Sequence, residues 1–247
     1  MKKRLDVMLV DRGLASSRTL AQALVMEGKV RVEGQVERKS SRQVTQETVI
    51  EVESPRRFVS RGGEKLEGAF VLWGDKGLSA EGKTCLDVGS STGGFTDCLL
   101  QRGAEYVMAV DVGTNQLDYK LRTDERVWVK EKFNARFMTS ADLPRSPILA
   151  VTDVSFISLE LILPPIVDVL LPNGDIVALI KPQFEVGKGN APGGLVRDEA
   201  LRLEACEKIK NFAITQLGLE LMGIAQSPVP GKEKGNIEYL SWWRKNA

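Results

Sequence analysis

Four stretches of this sequence set an ionisable side chain at the edge of a run of core-type residues. They are Ser60-Arg61-Gly62-Gly63-Glu64-Lys65-Leu66, Val151-Thr152-Asp153-Val154-Ser155-Phe156, Ala178-Leu179-Ile180-Lys181-Pro182-Gln183-Phe184 and Gly235-Asn236-Ile237-Glu238-Tyr239-Leu240. Amines and carboxylates of this kind hold, orient or remove a proton. Imidazole is absent: the chain has no histidine, which removes Ser-His-Asp chemistry, imidazole acid–base catalysis and most zinc catalysis together. Three widely spaced cysteines, Cys85, Cys98 and Cys206, supply neither a disulfide framework nor a zinc pattern. They are expected to be reduced and buried, and no metal site is expected.

A second chemical signal is the run Thr84-Cys85-Leu86-Asp87-Val88-Gly89-Ser90-Ser91-Thr92-Gly93-Gly94-Phe95-Thr96. It reads as a strand, a glycine-rich turn and the start of a helix, an arrangement that lets backbone amides approach a ligand. Gly89 is followed by Ser-Ser-Thr, so the dinucleotide fingerprint is absent; Phe95 stands where a phosphate loop needs lysine. What remains is a loop headed by Asp87 and followed by an apolar strand, Tyr106–Val110, that ends in Asp111. Asp111 falls where a carboxylate accepts hydrogen bonds from ribose hydroxyls.

The elements that must position these groups are mostly buried strands. Ile176–Ile180 is an unbroken apolar run with Lys181 at its carboxyl end, and Ile148–Val151 delivers Asp153 to the same edge. Ligands of open α/β sheets bind at that edge. Asn134 is expected to end a short third strand. Gln183–Asp198, with Gly187, Gly189, Gly193 and Gly194, reads as a long flexible loop, either part of the substrate-facing rim or an ordinary mobile connection. Trp242 and Trp243, beside the last strand, are either core residues or a stacking surface for bases.

Composition divides the chain. Residues 1–65 carry 14 Lys/Arg against 9 Asp/Glu and residues 66–247 carry 20 against 24, so a net +1 conceals +5 followed by −4. A cationic small part suits phosphate. In it, Leu5, Met8 and Leu9 follow helical spacing up to Gly13; Ser16 or Ser17 caps a second helix burying Leu20, Leu24 and Val25 and ending at Gly28. Val30, Val32 and Val36 alternate around a Glu33-Gly34 turn, and Thr48–Val52 reads as a further strand. Ser54-Pro55-Arg56-Arg57 lacks periodicity and reads as a linker.

Arg4-Leu5-Asp6, Leu9, Gly13, Ser17-Arg18, Ala21 and Gly28-Lys29-Val30-Arg31-Val32-Glu33-Gly34 resemble the alpha-L RNA-binding module of ribosomal proteins and pseudouridine synthases. The resemblance implies that Arg4, Arg18, Lys29 and Arg31 lie near RNA phosphates. The rest resembles the S-adenosylmethionine site and catalytic core of FtsJ-like ribose 2′-O-methyltransferases. The whole chain resembles the TlyA (hemolysin A) family, which joins the two. That resemblance implies a Rossmann-like α/β domain with a mostly parallel sheet over residues 61–247, a small α+β RNA-binding domain over 1–53, and a linker over 54–60. It implies S-adenosylmethionine held by Asp87, Gly89, Ser90, Ser91, Thr92, Gly93, Gly94, Phe95, Asp111, Asn134 and Asp153. It maps a catalytic tetrad onto Lys65, Asp153, Lys181 and Glu238: Lys181 as base or hydroxyl-orienting group, Asp153 as its partner, Lys65 and Glu238 as the shell around them. Burial beside a second cation favours the neutral amine a base requires, and Lys65 is the expected neighbour. Asp153-Val154-Ser155-Phe156 stands where amino-methylating enzymes carry Asn/Asp-Pro-Pro-Tyr/Phe, which argues for ribose over exocyclic nitrogen.

Ribosomal RNA or a ribosomal subunit is thus the expected partner. Two rivals remain in view. An RNA-binding assembly factor with a decayed catalytic domain would not be expected to keep both the glycine loop and the tetrad. A membrane-active cytolysin, which the older family name implies, needs a spanning or amphipathic segment. The most apolar stretch, Leu159–Leu171, is broken by Glu160, Pro164, Pro165 and Asp168, so no membrane span is expected. Met-Lys-Lys-Arg is not followed by a secretory signal pattern, so the expected address is the cytoplasm.

Overall fold

The computed structural model describes residues 2–53, 57–187, 189–231 and 235–247. It divides into two units, Met1–Arg56 and Arg57–Ala247. Of the expected linker, residues 54–56 lie outside the described residues. Phe58 and Val59 pack with the larger unit, where Phe58 is buried and the Val59 amide donates to Asp97 Oδ2 at 2.9 Å.

In the small unit, α1 (Leu5–Asp11) and α2 (Arg18–Met26) cover a three-stranded antiparallel sheet of β1 (Val30–Val32), β2 (Gln35–Glu37) and β3 (Ile50–Val52), with β1 central. Ser17 caps α2 by accepting from the Leu20 amide. Glu33 and Gly34 both take positive φ, the geometry of a tight two-residue hairpin. Leu5, Met8, Leu9, Ala21, Val25, Val30 and Val32 form the core. One expectation fails here. Leu20 is 43% exposed, because helical phase turns Ala21 and Val25 inward instead, and Leu24 is only partly buried. Val36 pairs with Arg31 across the ladder and so shares its outward face.

The larger unit is built from α3 (Gly62–Trp73), β4 (Thr84–Val88), α4 (Gly94–Gln101), β5 (Tyr106–Val110), β6 (Val127–Lys130), β7 (Leu149–Thr152), α5 (Leu163–Val169), β8 (Asp175–Ile180), α6 (Pro182–Glu185), α7 (Glu199–Leu217), β9 (Glu220–Gln226) and β10 (Tyr239–Arg244). The strands form one seven-stranded sheet in the order β9-β10-β8-β7-β4-β5-β6. From β8 to β6 neighbours are parallel; β10 runs antiparallel to β8 and β9. It is a Rossmann-like sheet. The order reverses between β4 and β7, which opens a crevice at their carboxyl ends. Strands buried on both faces explain the unbroken apolar runs, and two clusters of core residues lie on the two faces.

Trp242 and Trp243 are fully buried in those clusters, so the core alternative holds and base stacking does not. Cys85, Cys98 and Cys206 are free and buried, and burial pushes the Cys85 thiol up to about 12. The Gln183–Asp198 segment is not an unstructured loop. Pro182 opens α6, Pro192–Gly194 makes a 3-10 turn, and Asn236 pins the far end by donating to Gly194 O at 2.8 Å and accepting from the Val196 amide at 3.1 Å. Lys188 lies outside the described residues.

Candidate active site

Register sets the site. Val88 pairs with both Val110 and Thr152, so Gly89, Asp111 and Asp153 leave their strands side by side. Ala178 pairs with Thr152, and β8 continues two residues further before Lys181. Because β10 is antiparallel, its first residue, Tyr239, pairs with Ile180, which brings Glu238 to the same edge. Lys65 enters from the first turn of α3, whose Leu66, Ala69, Phe70 and Trp73 pack into the core.

The four side chains meet as one chain of contacts. Lys65 Nζ donates to Glu238 Oε2 at 2.7 Å and lies 3.4 Å from Asp153 Oδ2. Lys181 Nζ lies 2.7 Å from Asp153 Oδ1 and donates to Ser155 Oγ at 2.8 Å and to the Asp153 carbonyl at 3.3 Å. Lys65 and Lys181 are each 7% exposed and Glu238 3%, so two amines and two acids balance one another in a site nearly shut off from water. One expectation is refined: Asp153 stands between the two amines, so Lys65 is not the direct neighbour of Lys181.

Beside this chain lies the glycine loop. Gly89 has φ +82, and a Cβ on it would come within 2.9 Å of Val154 Cγ1. The loop and the segment bearing Asp153 therefore touch at the crevice, and only glycine permits it. Gly93, at φ +94, precedes α4, where a Cβ would overlap Leu121 and Leu117. Asp87 is fully buried; Thr96 Oγ1 donates to its Oδ2 at 2.6 Å, while Oδ1 has no partner among the described residues. Burial, reinforced by the anionic Asp153 and Asp111, pushes its carboxyl up to about 7. Asp111 accepts the Ser91 amide on Oδ2 at 2.7 Å and the Gly113 amide on Oδ1 at 2.6 Å, so it shapes the loop.

Other expected ligand contacts separate. Ser90 is buried; Ser91, at φ +48, and Thr92 are exposed at the crevice. Phe95 is a core residue, which leaves only its backbone amide for a ligand. Asn134 does not end a strand. Lys132 takes φ +54 after β6 has stopped at Lys130, and Asn134 caps the following turn by accepting from the Arg136 amide at 3.2 Å.

Two participants escaped the sequence reading. Ser155 bonds Lys181; its signal was its place two residues after Asp153. Phe156 is 81% exposed with φ +65, a strained conformation for an aromatic residue, and its ring lies 5.2 Å from that of Phe184. No periodicity announces such a residue.

In the small unit, Arg4 and Arg18 pair with the buried Asp6, Lys29 pairs with Glu27 at 2.6 Å, and Arg31 donates to Gly34 O at 3.2 Å. Among the described residues no cluster of three His, Cys, Asp or Glu side chains is able to hold a metal, and no helix is long and apolar enough to cross a membrane.

Residues 58–245 match the FtsJ-like methyltransferase family and residues 3–50 the S4 domain. The 16S/23S rRNA (cytidine-2′-O)-methyltransferase TlyA of Mycobacterium tuberculosis is 45% identical over 246 residues, covering 98% of this chain and 90% of that protein. Hemolysin A of Brachyspira hyodysenteriae is 45% identical over 243 residues, covering 96% of this chain and 98% of its own. A solved structure from Streptococcus thermophilus, described as a hemolysin, superposes with a TM-score of 0.76 at 41% identity, covering 99% of this chain and 89% of that one.

Proposed function

Because this chain belongs to the FtsJ-like methyltransferase family, in its TlyA (hemolysin A) branch, we propose that it methylates a ribose 2′-hydroxyl of ribosomal RNA with S-adenosylmethionine as donor. The observation that carries the reading is the unbroken contact chain Glu238–Lys65–Asp153–Lys181 at the carboxyl edge of the sheet, against the glycine loop.

The residues fit this donor. It is cationic and free of phosphate, and the loop offers no lysine but a buried carboxyl with an unpartnered oxygen, Asp87 Oδ1, and a second carboxylate at Asp111. Bound there, the donor supplies an electrophilic methyl group on a sulfonium. The chain's own residues do the rest. Lys181 holds the hydroxyl oxygen in line and orients or removes its proton, which matters because a ribose hydroxyl is a poor nucleophile near neutrality. Ser155 is the hydroxyl for which the ribose hydroxyl exchanges on Lys181 Nζ, since the two groups are chemically alike. Asp153 fixes Lys181 from one side and Lys65 from the other, and Glu238 anchors Lys65. Phe156, exposed beside this chain, offers a stacking face for the target base. The reading places the protein with ribosomes in the cytoplasm.

Incubating the protein with methyl-labelled donor and ribosomal subunits, then digesting the RNA to nucleosides, tests the proposal. Label in a 2′-O-methylnucleoside supports it; label only in base-methylated nucleosides, or none in RNA, rejects it.

Two further outcomes concern the donor. Asp111→Ala weakens S-adenosylmethionine binding about tenfold by calorimetry, since it removes a ribose acceptor and frees the Ser91 amide; unchanged affinity takes Asp111 out of the site. Asp87 makes binding depend on pH. Its folded carboxyl is pushed up to about 7, above the usual carboxylate range, so from about pH 4 to 7 only the unfolded chain loses this proton and Asp87 lowers stability progressively, with no further change above 7. A cationic donor favours the ionised carboxylate. Binding therefore tightens as pH rises through 7, with a proton released, and Asp87→Asn flattens the profile. An equally steep profile in that variant contradicts the assignment.

A further inference from the structure

Two of the segments that leave the sheet at its carboxyl edge are joined twice. Nearest the chemistry, Lys181 holds the segment after β7 through Asp153 and Ser155. Four residues further on, Glu185 holds it again: its Oε2 accepts from Ser158 Oγ at 2.6 Å and its Oε1 from the Leu159 amide at 2.9 Å. Lys208, from α7, closes this second join by pairing with Glu160 Oε2 at 2.8 Å and donating to the Glu185 carbonyl at 3.3 Å. Glu185 is buried, and burial pushes its carboxyl up against the opposing effect of the Ser158 hydroxyl and the Leu159 amide. A buried acid is costly unless its oxygens find donors, and here both do.

We propose that Glu185 is a positioning residue for methyl transfer, fixing residues 153–159 against Lys181 so that Ser155 and Phe156 are set where the target nucleotide must lie, without itself touching donor or RNA. The proposal rests on the methyl-transfer reading and deepens it by naming what holds the substrate side of the site. Three observations carry it. Residues 153–158 form neither helix nor strand, so contacts with neighbouring segments must hold them. Among them Phe156 is exposed and keeps φ +65, a conformation that persists only where the surroundings over-determine it. Glu185 is in turn a fixed post, because the Phe184 amide donates to the Lys181 carbonyl and the Val186 amide to the Pro182 carbonyl, each at 2.9 Å, which sets its place relative to Lys181. Phe156 and Phe184, whose rings lie 5.2 Å apart, come between the two joins on their respective segments.

Positioning and plain stability differ in which constants they move. With ribosomal subunits and saturating methyl-labelled donor, Glu185→Ala is expected to lower the single-turnover rate about a hundredfold, the loss that a displacement of about 1 Å produces, while calorimetric affinity for S-adenosylmethionine stays within about twofold. Glu185→Gln keeps an oxygen for the Leu159 amide and a polar group for Ser158, so it recovers to within about fivefold of wild type. Phe156→Ala and Glu185→Ala disturb the same placement, so the double variant is no more than about threefold slower than the slower single one; rate losses that multiply mark independent effects. Glu185→Ala turning over within about twofold of wild type, donor affinity falling as far as the rate, or multiplying losses each overturn the proposal. If circular dichroism shows that Glu185→Ala is unfolded, Ser158→Ala decides instead: it removes one of the two hydrogen bonds and is expected to be about tenfold slower with donor affinity unchanged, and a wild-type rate overturns the proposal equally. A wild-type chain that leaves no label in ribose defeats the methyl-transfer reading instead.

Discussion

Replacing Lys181 with alanine is expected to lower methyl transfer about a thousandfold or more while S-adenosylmethionine binds within about twofold of wild type. The asymmetry follows from position. Lys181 sits three residues beyond the level at which β7 ends, bonded to Asp153 and Ser155, whereas the glycine loop is held by Asp111, Thr96 and the ends of β4 and β5. Removing the amine leaves the loop's hydrogen bonds untouched. Single-turnover kinetics with saturating donor, paired with calorimetric affinity, checks the split; a variant that keeps wild-type turnover removes Lys181 from the chemistry.

Asp153→Asn has the second large effect, and it reaches stability as well as rate. Asp153 is the anion between two nearly buried amines, 2.7 Å from Lys181 and 3.4 Å from Lys65. With a neutral amide there, Lys65 keeps Glu238, but Lys181 loses the one anionic partner it has among the described residues. Removing one member of a buried ion cluster costs about 3 kcal/mol, so denaturant unfolding should shift by that order, and methyl transfer should fall with it. Unchanged stability in Asp153→Asn contradicts the contact chain. Glu238→Gln is the milder change, because its amide oxygen still accepts from Lys65.

What the sequence made legible, and what it hid, follows from how each residue is held. β5 matches the run Tyr106–Val110, and the buried strands behind Asp153 and Lys181 lie within a residue of their apolar runs, because a strand covered on both faces needs unbroken hydrophobicity. The glycine loop was legible because close approach demands glycine: Gly89 passes Val154 and Gly93 passes Leu117 and Leu121. Convergence of the tetrad was not legible from spacing. Glu238 reaches Lys65 across 173 positions of chain because β10 is antiparallel, a topological fact with no local signature. The mistaken positions have local causes. Hydrophobicity alone turns Leu20 inward, but phase along α2 turns it out. Asn134 does not end a strand, because β6 stops at Lys130 and the chain turns through the positive φ of Lys132. Gln183–Asp198 looked loop-like from its glycines, yet Asn236, far along the chain, supplies the hydrogen bonds that order its end.

The central claim is that Lys181 and its partners surround the methyl group to be transferred. The direct measurement is a crystal structure of the protein with S-adenosylmethionine bound. A hydroxyl oxygen about 3 Å from the methyl carbon and about 3 Å from Lys181 Nζ requires the two to lie within about 6 Å of each other. A complex in which they stand more than about 10 Å apart, with the Lys65–Asp153–Lys181 contacts intact, contradicts the account.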